Sequence, residues 1–539
     1  MYCKICGTAN LDHANYCLQD GAVLPKNKKT ATLGFQKSKS HFCSNCGKEA
    51  GDSVNYCMAC GTSQTAYQPA AETVINHPAV PAAKMNSTSV KGLFSGFSLS
   101  LLKKALIPAI IAFAFMLIAS IGAYLPIKDT LNSWFIESLN NESFEILEEI
   151  GSDNDLPEPG DLYGYTDTVM SAHLASPVFH FQGASEYMDM AKGSAGVNFL
   201  PIFLFLIPAA AFMLAGYLFG RGEQTDSLAE RFRGALCIGA IYGILISVLS
   251  LFSGFSYKVT TEGFTISMDA AYPFFQLLFT GLIAGGLLAF IGTLFSLEHR
   301  KFTGHLQGRI PFGSSLHHGF SAFIRIFAVF ALLFTIYAAI KIQELKDSAG
   351  MLSLYEPLWK LLENAAFFAA SVGFQFGSFV LGMIHFVPLS FSGEGDGEKF
   401  ELGYSLYTGF YAEQGSSVMD AAGINTFLEM NNGPFFLRLC IIIPILFLVW
   451  GGYSMARSTG SSLLNVSVFS LVYAALMAIL ANVSAYSVRT TFNGSYYDGP
   501  ANEFFILGVN SLALFFSSFI IAFACAFLGR YLAQWKSAQ

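Results

Sequence analysis

The residues best suited to chemistry stand near the start of the chain. Residues 3–21 read CKICGTANLDHANYCLQDG and residues 43–61 read CSNCGKEAGDSVNYCMACG. A shift of 40 superposes Cys3 on Cys43, Cys6 on Cys46, Gly7 on Gly47, Tyr16 on Tyr56, Cys17 on Cys57 and Gly21 on Gly61. In the second unit each Cys-x-x-Cys pair makes a tight turn that presents two thiolates, and Gly47 and Gly61 permit the positive φ at which backbone amides face sulfur. Cys43, Cys46, Cys57 and Cys60 are therefore expected to close a four-thiolate structural zinc site. In the first unit Asp20 stands where Cys60 stands in the second. Cys3, Cys6, Cys17 and Asp20 are the expected ligands there, three thiolates and a carboxylate, a set that zinc accepts. His13 is the other candidate fourth ligand, but its counterpart is Ser53, in the middle of the spacer. A unit of about 20 residues is too small to build a pocket around an open metal position, so both metals are expected to hold small folds together.

Seven of the ten cysteines belong to these units, and Cys237, Cys440 and Cys525 fall singly inside apolar runs, as small buried hydrophobes do. No secretory leader precedes Cys3, so the arm is expected in the reducing cytoplasm, where disulfides are disfavoured. The motifs resemble the double zinc ribbon at the N-terminus of many bacterial multi-pass membrane proteins, most of them without an assigned activity. That resemblance covers residues 1–61. It implies zinc and the docking of a cytoplasmic protein partner, and it carries over no catalytic residue. Nucleic acid is a poor fit, because Lys26, Lys28, Lys29, Lys37 and Lys39 sit in the linker between the units, where anionic headgroups or solvent are the expected neighbours.

The elements that carry this arm are set by a membrane composition. Of 539 residues 53% are hydrophobic and 12% charged, against roughly 25% charged in an ordinary soluble domain. About 20 apolar residues cross the hydrocarbon core as a helix. Runs of that kind lie near 105–126, 199–220, 234–254, 273–296, 320–341, 435–453, 463–483 and 504–528. A ninth, 364–388, is rich in Gly, Ser and Phe and ends in His385 and Pro388. Lys103 and Lys104 precede the first span, Arg221, Arg231 and Arg233 follow the second, and Arg300, Lys301 and Arg309 follow the fourth, which marks those ends as cytoplasmic. The first 104 residues hold 11 Lys and Arg against 5 Asp and Glu, whereas 128–197 hold 2 against 13, consistent with opposite sides of one membrane.

An internal repeat organises the spans. IPAAAFMLAGYLFGR at 207–221 and IPILFLVWGGYSMAR at 443–457 share Ile207/Ile443, Pro208/Pro444, Gly216/Gly452, Tyr217/Tyr453 and Arg221/Arg457. At shifts of 229 to 231 the match extends to Tyr242/Tyr473, Tyr257/Tyr486, Val259/Val488, Phe274-Phe275/Phe504-Phe505 and Arg300/Arg530. Copies that point the same way need an even number of crossings each, which makes 364–388 a buried hairpin or re-entrant segment. The long outer loops, 128–197 and 342–434, are read as a small acidic cap with an amphipathic helix at 131–150, GYTDT at 164–168 corresponding to GYSLY at 403–407. The acidic residues from Glu142 to Glu158 do not follow an EF-hand spacing and read as a solvated face.

Chemistry within the membrane part is sparse. Arg325, about one turn into the fifth span, and Arg438 are read as snorkelling to headgroups, and Glu363 and His385 lie in the ambiguous stretch. The loop 297–319 holds His299, His305, His317 and His318, without a helical i, i+4 pair, and H-E-x-x-H, Walker and G-x-S-x-G motifs are absent. Pro208 and Pro444 are candidates for opening a helix beside a pathway. The expected architecture is an all-α integral membrane protein of two parallel four-span repeats: 1–21 ribbon, 22–42 basic linker, 43–61 ribbon, 62–98 tether, 99–300 first repeat and 301–539 second. The expected role is a noncatalytic plasma-membrane sensor, scaffold or regulator, both termini cytoplasmic, with a transporter or channel as the alternative.

Overall fold

The computed structural model describes residues 41–42, 49–50, 97–129, 163–185, 188–198, 201–222, 227–261, 264–297, 303, 306, 310, 312–347, 364–395, 398–412, 433–459, 462–493 and 501–538. The chain divides into two compact units, Met1–Lys84 and Met85–Gln539. In the first, β1 (His41–Phe42) pairs antiparallel with β2 (Glu49–Ala50).

The second unit runs α1 (Leu99–Tyr124), α2 (Tyr165–Ala172), β3 (Val178–Ser185), β4 (Met188–Asn198), a 3-10 turn (Ile202–Phe205), α3 (Leu206–Gly222), α4 (Leu228–Ser250), β5 (Ser256–Thr261), β6 (Phe264–Ala271) and α5 (Phe274–Phe295, π-wound at Gly281–Gly285). It continues with α6 (Gly313–Asp347), α7 (Ala365–Ile384), β7 (Leu389–Gly395), β8 (Glu398–Ser405), β9 (Gly409–Ala412), α8 (Gly433–Leu439), α9 (Ile442–Thr459), α10 (Leu463–Ser484), β10 (Tyr486–Asn493), β11 (Ala501–Val509) and α11 (Ser511–Ala538). Among the described residues nine helices are long and apolar enough to cross a membrane, α8 and α9 counting as one and α7 included. Ser98, Ser227 and Ser462 cap α1, α4 and α10, each hydroxyl accepting from a first-turn amide.

The all-α expectation is corrected by a nine-stranded antiparallel sheet in the order β5-β6-β3-β4-β10-β11-β7-β8-β9. Its strands occupy the loops and part of an expected span: residues 504–509 belong to β11, and the last helix begins only at Ser511. The apolar run FFIL of β11 lies just before the last helix, so its hydrophobicity merges with that of the neighbouring span. Tyr486 packs on Phe379 of α7, and Leu389 and Tyr404 pack on the core. By the two-residue period these positions fix the helix-facing side, which also carries the ring cluster Phe391, Phe400 and Phe505. The opposite side carries Gln182, Lys192, Ser194, Arg489, Thr491, Glu394, Lys399 and Glu401, interrupted by Phe504 and Ile506.

The helices form two sets with separate cores, one around Met116, Phe212 and Tyr242 and the other around Phe330, Phe469 and Tyr473. Among the described residues the main helix packing stays within each set, and at the Ile202–Phe205 turn Phe203 meets Phe367 and Phe374 of α7. What joins the sets is chiefly β4 paired with β10, from Asn198 opposite Ser487 to Lys192 opposite Asn493. Gly216 lies against the Ala289 backbone and Gly452 against that of Ala526. Gly292 lies against Met213 and Gly529 against Val449. Those contacts align α3 with α9 and α5 with α11 at shifts of 236 to 237. The pairings of Phe274-Phe275 with Phe504-Phe505 and of Arg300 with Arg530 are thereby displaced by several residues, which apolar segments of few letter types allow.

Helix α7 has an unusual course. Asn364, before its start, donates to the Pro126 carbonyl just past the end of α1, on the side where the sheet lies. The helix then runs antiparallel along α6, with Gly373 against Thr335 and Gly377 against Phe330. It ends at His385 beside Tyr473, roughly 16 Å short of the sheet end of α10. Phe386 turns the chain with φ of 64°, and Pro388 leads back into the sheet at Leu389. Of its apolar window 61% is buried, against 22–50% for the other eight.

Candidate functional site

Every proposed zinc ligand, Cys3, Cys6, Cys17, Asp20, Cys43, Cys46, Cys57 and Cys60, lies outside the described residues, as do His13, the 131–150 helix, the Glu142–Glu158 acidic stretch, His299, His305, Glu363 and the tether up to residue 96. What is described is the β1–β2 pair, whose connecting residues 43–48 contain Cys43 and Cys46. A hairpin that carries one Cys-x-x-Cys in its connection fits a thiolate knuckle. Among the described residues no group of His, Cys, Asp and Glu converges as a metal site.

The membrane part contains one side-chain arrangement built twice. The ring of His173, at the C-cap of α2, donates from Nδ1 to the Val169 carbonyl at 2.7 Å and meets the Tyr242 hydroxyl through Nε2 at 3.0 Å. The ring of His385, at the C-cap of α7, donates from Nδ1 to the Leu381 carbonyl at 2.7 Å and meets the Tyr473 hydroxyl through Nε2 at 3.1 Å. A carbonyl only accepts, so Nδ1 carries the proton and Nε2 accepts from tyrosine. Both histidines and both tyrosines are buried. Leu174 and Phe386 follow with φ of 57° and 64°, a left-handed conformation that is costly for such side chains. Sealed, neutral and fully bonded, each pair is a lock that holds a helix end and the turn after it.

Sequence reasoning noted Tyr242/Tyr473 and His385 but missed His173. The available signal was a histidine closing an apolar helix shortly before a proline. It was hidden because Pro177 follows His173 by four residues whereas Pro388 follows His385 by three. This alignment replaces the GYTDT/GYSLY correspondence: residues 165–172 form α2, the partner of the end of α7, while 403–405 close β8.

Three further polar groups act as ties. Asp167 accepts from Gly164 N at 2.7 Å, from Gly254 N at 2.9 Å, and from Tyr272. Burial raises its pKa, and those bonds pull it back down. Gly254 has φ of +88° and lies against the Ala270 carbonyl, so Asp167 fixes a turn that only glycine fits. The Arg231 guanidinium donates to the Gly220 and Thr293 carbonyls and to Ser296 Oγ, neutralising the C-terminal ends of α3 and α5. Arg438 donates to the Leu406 carbonyl, tying α8 to the β8–β9 turn instead of snorkelling. Arg325 stands over Trp450 at 4.7 Å, exposed on the helix surface. Pro208 and Pro444 are each third in their α-helices, a first-turn position that tolerates proline because its N–H has no partner within the α-helix.

The locks predict a stability effect. A His173→Gln/His385→Gln variant, which cannot restore both bonds of each ring, should unfold in detergent at a lower temperature than wild type; an unchanged midpoint would contradict the lock.

Compared with known families, residues 42–64 match a zinc-ribbon domain, which spans Cys43, Cys46, Cys57 and Cys60 and implies zinc binding there. No curated protein and no solved structure matches the chain. The chain thus combines a zinc ribbon with a set of membrane-length apolar helices.

Proposed function

We propose that the chain is a noncatalytic membrane scaffold, a sensor or regulator whose ribbons recruit a protein on one side while the sheet presents a docking platform on the other. The observation that carries this reading is the continuous sheet. Its polar side faces away from the helices over both halves, so span-to-span connections have been made into one broad surface. Separate cores joined through that sheet favour a platform over a pathway enclosed between the halves.

Two structural readings accompany it. The halves are tandem copies: the order β5-β6-β3-β4 recurs as β10-β11-β7-β8, and the histidine locks and glycine crossings recur with it. Helix α7 is re-entrant, entering and leaving on the sheet side, which leaves eight crossings and both termini on one side. Lys103, Lys104, Arg221, Arg233, Arg457 and Arg530 cluster at the helix ends remote from the sheet, which supports a cytoplasmic assignment for those ends. The first ribbon, with Asp20 as fourth ligand, is read as a second zinc site.

Recruitment is tested by purifying the tagged full chain and its Cys43→Ser/Cys57→Ser variant from cells. Loss of zinc together with loss of specific co-purifying cytoplasmic proteins is expected, and an unchanged set of partners despite zinc loss counts against docking at the ribbon. Topology is tested with single cysteines at exposed Lys128, Lys399 and Lys536. An impermeant maleimide should reach the first two from the same side and the third only from the other. Labelling of Lys128→Cys and Lys399→Cys from opposite sides would make α7 a crossing helix.

A further inference from the structure

A groove of about 550 Å³ opens between α6 and α7 near their sheet-side ends. Phe334, Tyr337, Ala338 and Ile342 of α6 and Val372 and Phe376 of α7 line it, and its surface is mostly apolar. The two helices cross tightly where Gly373 meets Thr335. Towards the sheet stands, among the described residues, an ion pair, Lys341 Nζ bonded to Glu344 Oε2 at 2.6 Å, both side chains about half exposed.

The depth of this pair follows from the helix itself. Arg325 and Lys341 are separated by about 24 Å along α6, close to the roughly 30 Å of a bilayer's hydrocarbon core once both side chains reach outward. Between them Leu332, Leu333, Ile336 and Ile340 are exposed, the surface that acyl chains cover. Lys341 and Glu344 therefore stand at headgroup level, with the groove running from them towards the membrane interior.

We propose that this groove binds one zwitterionic phospholipid of the sheet-side leaflet, an acyl chain lying along Ala338 and Val372, the phosphate on Lys341 and the headgroup ammonium on Glu344. An adjacent cation and anion match the two charges of such a headgroup. An anionic lipid would meet Glu344 as a repulsive neighbour. The binding also bears on the fold, because the lipid bridges α6 to the helix that does not cross.

Delipidated full-length protein is titrated with phosphatidylethanolamine and separately with phosphatidylglycerol, and bound lipid is counted by native mass spectrometry, with thermal unfolding as the check on folding. One phosphatidylethanolamine per chain is expected. Retention should fall about tenfold, the equivalent of one good polar contact, in Lys341→Ala, an exposed change that spares the fold. Val372→Trp, which fills the groove, should abolish it. Equal retention by wild type and Lys341→Ala, or equal binding of phosphatidylglycerol, would overturn the proposal, and so would unchanged retention in a folded Val372→Trp.

Discussion

The pairing of β4 with β10 is the interaction on which the membrane domain depends. Between helices in lipid there is little hydrophobic drive to associate, since acyl chains are as apolar as leucine. The two helical sets accordingly keep separate cores and meet through few side chains. Backbone groups are another matter: at the edge of a bilayer each unpaired N–H or C=O is costly, and the strand pair satisfies a whole row of them across the boundary. Ser194 Oγ and Thr491 Oγ1 meet at 2.7 Å on the sheet's polar side, and Asn198 donates to the Ala485 carbonyl at 3.1 Å. These contacts set the two halves side by side in one register.

Within each half the sheet depends on where the chain turns back. Strand β3 sits between β6 and β4, and β7 between β11 and β8, because α2 and α7 each stop partway along a neighbouring helix and release the chain through a left-handed residue. Leu174 and Phe386 do not favour that conformation on their own account. The buried His–Tyr bonds beside them supply the compensation, and they recur at the same place although the spacing to the following proline does not. In the first half the turn after α4 is held as well, by the bond from Gly254 N to Asp167.

Most of the helices were legible from composition, because twenty uncharged apolar residues admit few other fates. Boundaries agree to within a few residues for several spans, and Pro208/Pro444, Gly216/Gly452 and Tyr242/Tyr473 occupy equivalent positions. The sheet was not legible. MDMAKGSAGVN of β4 is poor in the β-branched and aromatic residues that mark strands, and its partner β10 lies almost three hundred residues away, so no local pattern announces the pairing. FFILGV of β11 reads as the opening of a span since it continues into one. The zinc chemistry was legible for the opposite reason: four cysteines at fixed spacing need no distant partner to declare themselves. Arg231, taken from sequence as an orientation signal, is buried against the C-terminal ends of two helices, because a charge near a span's end has the same letter whether it faces water or carbonyls.

Disulfide trapping between Ser194→Cys and Thr491→Cys tests the shared sheet most directly. With the remaining cysteines replaced, mild oxidation in membranes should join the two positions within one chain at high yield. After cleavage at a protease site inserted between residues 301 and 311, the halves should migrate together until reduced. Absence of that cross-link in folded protein, with the halves separating after cleavage, would contradict a sheet continuous across both bundles.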